Sequence, residues 1–126
     1  ARNVEQAKDQ AEWILEKLGD RKAELGIAFD WENWGGFNEA GMSFYTINKV
    51  AETFIDVVEE TGRDGWLYGS KVYLERIWKP ENKRIWLAQY YDRVTYDGEY
   101  EIWQMSNTGR VPGIDGDVDL DIMYLE

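Results

Sequence analysis

Asp30 and Glu32 stand two residues apart, just past the apolar run Leu25–Phe29. Side chains alternate faces along a strand, so a strand ending here projects both carboxylates the same way. In α/β sheets and barrels, the C-terminal rim of the strands is where chemistry is placed. Trp31, Trp34 and Phe37 surround the pair. Two acids among rings suit cleavage of a glycosidic bond, where one group protonates the leaving oxygen and another stabilises developing positive charge. The plainer alternative is a strand end entering a polar loop, with two solvated acids and no task.

Composition narrows the chemistry. The chain has 126 residues, no Cys and no His. A disulfide, a thiolate metal site, a histidine-bound zinc and Ser-His or Cys-His nucleophiles are therefore excluded. Acid–base work must fall to carboxylates, Lys or Tyr. The net charge of −11, without a Lys/Arg cluster, lacks the footprint of a nucleic-acid binder and gives no attraction to anionic lipid. No apolar run approaches the roughly 20 residues that cross a bilayer. Seven Trp and eight Tyr in so short a chain suit the apolar faces of sugar rings, although core packing uses the same residues.

A second acidic run, Asp115-Gly-Asp117-Val-Asp119-Leu-Asp121, opens like a calcium loop. Leu120 occupies the position where such a loop needs Gly for its tight turn. The alternation of Val118, Leu120 and Ile122 with Asp119 and Asp121 fits a strand better, its acids facing a polar site or solvent. Trp86 with Gln89 and Tyr90, and Trp103 with Gln104, each place a ring near an amide late in a strand. Such pairs suit a sugar-binding groove, with core packing of the Trp as the simpler use.

The elements that must position these groups can be read from periodicity. Val4, Ala7, Ala11, Ile14 and Leu18 predict a helix over residues 1–18, stopped by Gly19-Asp20. A strand at 25–29 leads into a Gly-rich loop, Gly35-Gly36-Phe37-Asn38. Ser43 caps a second helix carrying Ile47, Val50, Ala51, Phe54, Ile55 and Val58, ended by Thr61-Gly62. Residues 65–69 read as a strand and 70–78 as a short helix closed by Pro80. The last third changes rhythm. Strands at 84–90, 100–104 and 118–122 are separated by turn chemistry too short for helical crossovers.

In this order, Phe29-Asp30-Trp31-Glu32, Leu67-Tyr68-Gly69-Ser70, Trp86-Leu-Ala-Gln89-Tyr90, Trp103-Gln104 and Gly113-Ile-Asp-Gly-Asp-Val-Asp119-Leu-Asp121 resemble glycoside hydrolase family 25. These are muramidases of the phage endolysin and autolytic lysozyme type. Asp121 stands where the family usually has Asn. The resemblance implies hydrolysis of the β-1,4 bond between N-acetylmuramic acid and N-acetylglucosamine, with peptidoglycan glycan strands as partner and no metal or organic cofactor. It implies Glu32 as general acid/base, Asp30 as its partner beside an acetamido-assisted intermediate, and Asp119 as a further active-site acid. Tyr68, Trp86, Tyr90, Trp103, Gln104 and Trp34 would line the groove. Glu32 would need a raised pKa, which burial beside Trp31, Trp34 and Asp30 could supply. A secreted or wall-associated enzyme, or a phage lysin released at lysis, is the implied setting.

The fold expected is α/β: a partial (β/α) barrel with five strands, the last joined without helices. The family barrel has eight strands. Residues 1–126 correspond to the C-terminal five-eighths of one catalytic domain, without the first three strands. The inner faces and edges of Ala28, Phe29 and the last strand are expected to be exposed. The chain is then expected not to be a stable monomer, with a second polypeptide or further copies closing the sheet.

Overall fold

The computed structural model describes residues 1–125. The element order is α1 Val4–Leu18, β1 Ile27–Phe29, α2 Trp34–Glu39, α3 Phe44–Glu59, β2 Gly65–Ser70, α4 Lys71–Arg76, β3 Arg84–Ala88, β4 Ile102–Gly109 and β5 Val118–Met123. The strands form one sheet in sequence order, β1-β2-β3-β4-β5. The first four run parallel and β5 runs antiparallel to β4. This is the open five-stranded part of a barrel. Among the described residues, β1 and β5 each have one unpaired edge.

Both long helices begin on the caps their sequences supply. Asn3 accepts the Gln6 N–H at 2.8 Å, and Ser43 Oγ accepts the Thr46 N–H at 3.1 Å. The apolar stripe of α3 packs on β1 and β2, while Ala7 and Ala11 let α1 lie close against α3. One face of the sheet meets these helices through Phe29, Leu67, Ile85, Leu87 and Trp103. Each such buried side chain contributes roughly 1.5–3 kcal/mol of transfer free energy. The opposite face, toward the barrel interior, carries Ala28, Trp66, Tyr68, Trp86, Ala88, Ile102 and Gln104, in register across the strands.

Three expectations are corrected. Phe29 is not exposed: it points toward the helices, with its ring 5.3 Å from Phe54 and 6.0 Å from Trp78. The Gly-rich loop is the short helix α2, because Asn33 caps it by accepting the Gly36 N–H at 3.0 Å. A side chain at position 36 would strike that cap, which is why Gly stands there. Finally, β4 runs on to Gly109, five residues past the strand expected at 100–104. Gly109 lies directly over Leu120, and the bare backbone permits β5 to pair there across two register shifts.

Candidate active site

Register decides what β1 presents. Ala28 pairs with Trp66 and Phe29 with Leu67, so Asp30 emerges on the interior face at the level of Tyr68. The turn into α2 brings Glu32 back beside it. The two carboxyls are in hydrogen-bonding contact. Burial, then the charge of Glu32 and that hydrogen bond, push the Asp30 carboxyl up to about 6, although one side stays open to solvent. Burial acts on Asp30 one position beyond the strand end.

The pair opens into a cleft of about 560 Å³, within the range of small-molecule sites. Trp31, Trp34, Tyr73 and Trp78 form one aromatic wall and Tyr68 with Tyr90 the other. The first wall is a packed cluster. Trp34 lies 4.5 Å from Tyr73, 4.9 Å from Trp31 and 5.9 Å from Trp78 between ring centroids. It owes its position to α2, which begins at Trp34. Trp78 is held from behind by Asn48, which is buried. Asn48 Nδ2 donates to the Phe44 and Ile77 carbonyls at 2.7 and 2.8 Å, and its Oδ1 accepts the Lys79 N–H at 2.7 Å.

The second wall leans on a polar interior. Tyr68 and Tyr90 hydroxyls donate to the same Gln104 Oε1, at 2.6 and 2.8 Å. Burial, Tyr90 and the charges of Glu32 and Asp30 hold the Tyr68 phenol above its ordinary pKa, so it stays protonated. Gln104 Nε2 donates to Asp119 Oδ2 at 3.2 Å.

The structure thus brings Asp30, Glu32, Trp34, Tyr68 and Tyr90 to one cleft. Gln104 lies behind its tyrosines, and Asp119 one further step back. Trp86 stands edge-on to Tyr68 at 6.1 Å, its indole donating to Asp121 at 2.8 Å, and it lines no part of the cleft. Trp103 is a correction. Odd positions of β4 face the helices, so Trp103 is a core residue whose indole N–H donates to the Gln89 carbonyl at 2.9 Å. Tyr73 and Trp78 were missed. Both fall in the segment 70–78 read only as a helix, and their convergence on Trp34 is a tertiary contact without a local signal. Among the described residues, no three acidic side chains converge in a way that could hold a metal ion.

A family model described as glycosyl hydrolases family 25 matches residues 1–114. No curated protein sequence matches. Among solved structures, the chain is similar to the CTP1L endolysin, with 17% identity and a TM-score of 0.74. It is also similar to GHIP, described as a glycosyl hydrolase 25 virulence factor of Streptococcus pneumoniae, at 18% and 0.75. A third is the spore cortex lytic enzyme SleM of Clostridium perfringens, at 16% and 0.70. Each alignment covers 98% of this chain but only 44%, 55% and 46% of those chains, respectively. The chain therefore spans about half the length of the structures it matches, and at such identities the likeness concerns the fold.

Proposed function

This chain belongs to glycosyl hydrolases family 25, and we propose that it carries the acid–base pair of a peptidoglycan muramidase. The substrate is the β-1,4 bond between N-acetylmuramic acid and N-acetylglucosamine. The observation that carries this reading is the contact between Asp30 and Glu32 at the mouth of an aromatic cleft. Two neighbouring carboxyls beside an aromatic wall suit the exception to the two-carboxylate schemes, in which the sugar's own acetamido oxygen attacks the anomeric carbon. Glu32 then protonates the leaving glycosidic oxygen, and later takes a proton from the water that opens the intermediate. Asp30 orients the acetamido group and stabilises its developing positive charge. The rings of Trp31 and Trp34 supply the apolar wall against a pyranose face.

The unpaired edge of β1 supports a second element of the proposal: further polypeptide pairs with Ile27–Phe29 and closes the barrel. The setting proposed is the bacterial cell wall, reached by secretion or by release of a phage lysin.

One assay tests the function. The chain is incubated with purified peptidoglycan and new reducing ends are counted. Their release supports the muramidase. Binding without release supports the rival reading, a wall-binding partial barrel.

A further inference from the structure

Gln104 is 5% exposed and joins the cleft to the last strand. A phenol has one proton to give. Tyr68 and Tyr90 both give theirs to Gln104 Oε1, whose two lone pairs are then filled. The amide nitrogen can only donate, and it donates to Asp119. Turning the amide over would set its oxygen against the Asp119 carboxylate, so the network admits one orientation. With both phenolic protons directed inward, the hydroxyls offer the cleft only lone pairs. Asp30 and Glu32 when ionised are acceptors as well.

We propose that Asp119 and Gln104 are a positioning pair that fixes the hydrogen-bond polarity of the cleft. Asp119 orients the Gln104 amide, and the amide makes Tyr68 and Tyr90 acceptors that select a donor on the ligand. The donor that fits is the acetamido N–H of an N-acetylated sugar. This rests on the glycan reading above. It moves Asp119 from the reacting atoms to a supporting role, since its contact with the cleft passes through Gln104.

The test is titration of the 126-residue chain by tryptophan fluorescence, with thermal melts of every variant. The probes are the β-1,4 tetramer of N-acetylglucosamine and its 2-O-acetyl analogue, in which an ester oxygen replaces each N–H. Wild type is expected to bind the N-acetyl tetramer about tenfold more tightly than the ester, the size of one well-placed hydrogen bond. Gln104→Met frees the phenolic protons and closes that gap. Asp119→Ala weakens the N-acetyl tetramer about fivefold, whereas Asp119→Asn, whose side-chain oxygen still accepts from Gln104, keeps wild-type affinity.

An Asp119→Asn variant as impaired as Asp119→Ala would overturn the inference, as would a gap that survives Gln104→Met. Melting temperatures that fall while both affinities stay constant would do the same, leaving the pair a purely structural role. Wild type binding neither tetramer would remove the glycan reading itself, and this inference with it.

Discussion

The Asp30 carboxyl meets that of Glu32 one residue beyond the end of β1, and burial raises it from an ordinary 3.8 to about 6. The folded chain therefore holds the Asp30 proton more tightly than the unfolded chain. The stability this represents is complete below about pH 4 and is lost as pH rises through 6. Above pH 6 the ionised Asp30 carboxyl is a net cost of about 1 kcal/mol, the full linkage value being reduced because the carboxyl is partly solvated.

Asp30→Asn removes that cost. Its melting temperature is expected to exceed wild type by roughly 2–5 °C at pH 7.5 and to equal it at pH 4. Thermal melts at the two pH values check this. A gain of the same size at both would mean that the Asp30 carboxyl titrates normally.

Asn48 is predicted to matter more than its distance from the carboxylates suggests. Asn48→Leu leaves the Lys79 N–H and the Phe44 and Ile77 carbonyls short of their partner. The expected cost is about 2–4 kcal/mol by denaturant titration. Trp78 loses its backing, so glycan affinity falls with stability. Unchanged affinity in a folded variant would separate Trp78 from the binding wall.

Phe54→Ala offers a contrast. It empties the space between α3 and Phe29 and should cost about 3–5 kcal/mol, while leaving the folded cleft able to bind. A denaturation curve paired with a binding isotherm separates the two effects.

The free edge of β1 bears on assembly. Light scattering of the purified chain is expected to give the mass of an associated, folded species in which β1 is paired, rather than that of a monomer. A cooperative, well-folded monomer would contradict this.

Much of the architecture was legible in the sequence because it is local. Apolar spacing of 3.6 residues gave α1 and α3, with Ser43 at the start of the latter, while the Asn3 cap that sets the start of α1 went unread. The missing helices after Arg84 followed from turn residues too closely spaced for crossovers. The Asp-x-Glu spacing led to the carboxyl pair, but strand alternation ends at Phe29, and it is the turn into α2 that returns Glu32 to the side of Asp30. What the sequence concealed depends on register. Whether Trp103 or Gln104 faces the cleft turns on a single residue step along β4, and only pairing with β3 and β5 decides it. The same holds for Phe29, whose neighbours Ala28 and Asp30 take the interior face. Tyr73 and Trp78 reach Trp34 through packing of α4 and the loop after it, which no periodicity records. α2 was hidden by two glycines that disfavour helix and by an Asn33 cap that outweighs them.

The central claim is that Glu32 moves the proton in glycosidic cleavage. Its most direct test compares wild type with Glu32→Gln on purified peptidoglycan, following reducing ends and sedimentation of bound protein together. Gln keeps the shape of the side chain and cannot cycle a proton. Release of reducing ends should fall at least about a hundredfold, the usual contribution of a positioned acid–base group, with binding retained. Hydrolysis at the wild-type rate by Glu32→Gln would contradict the account.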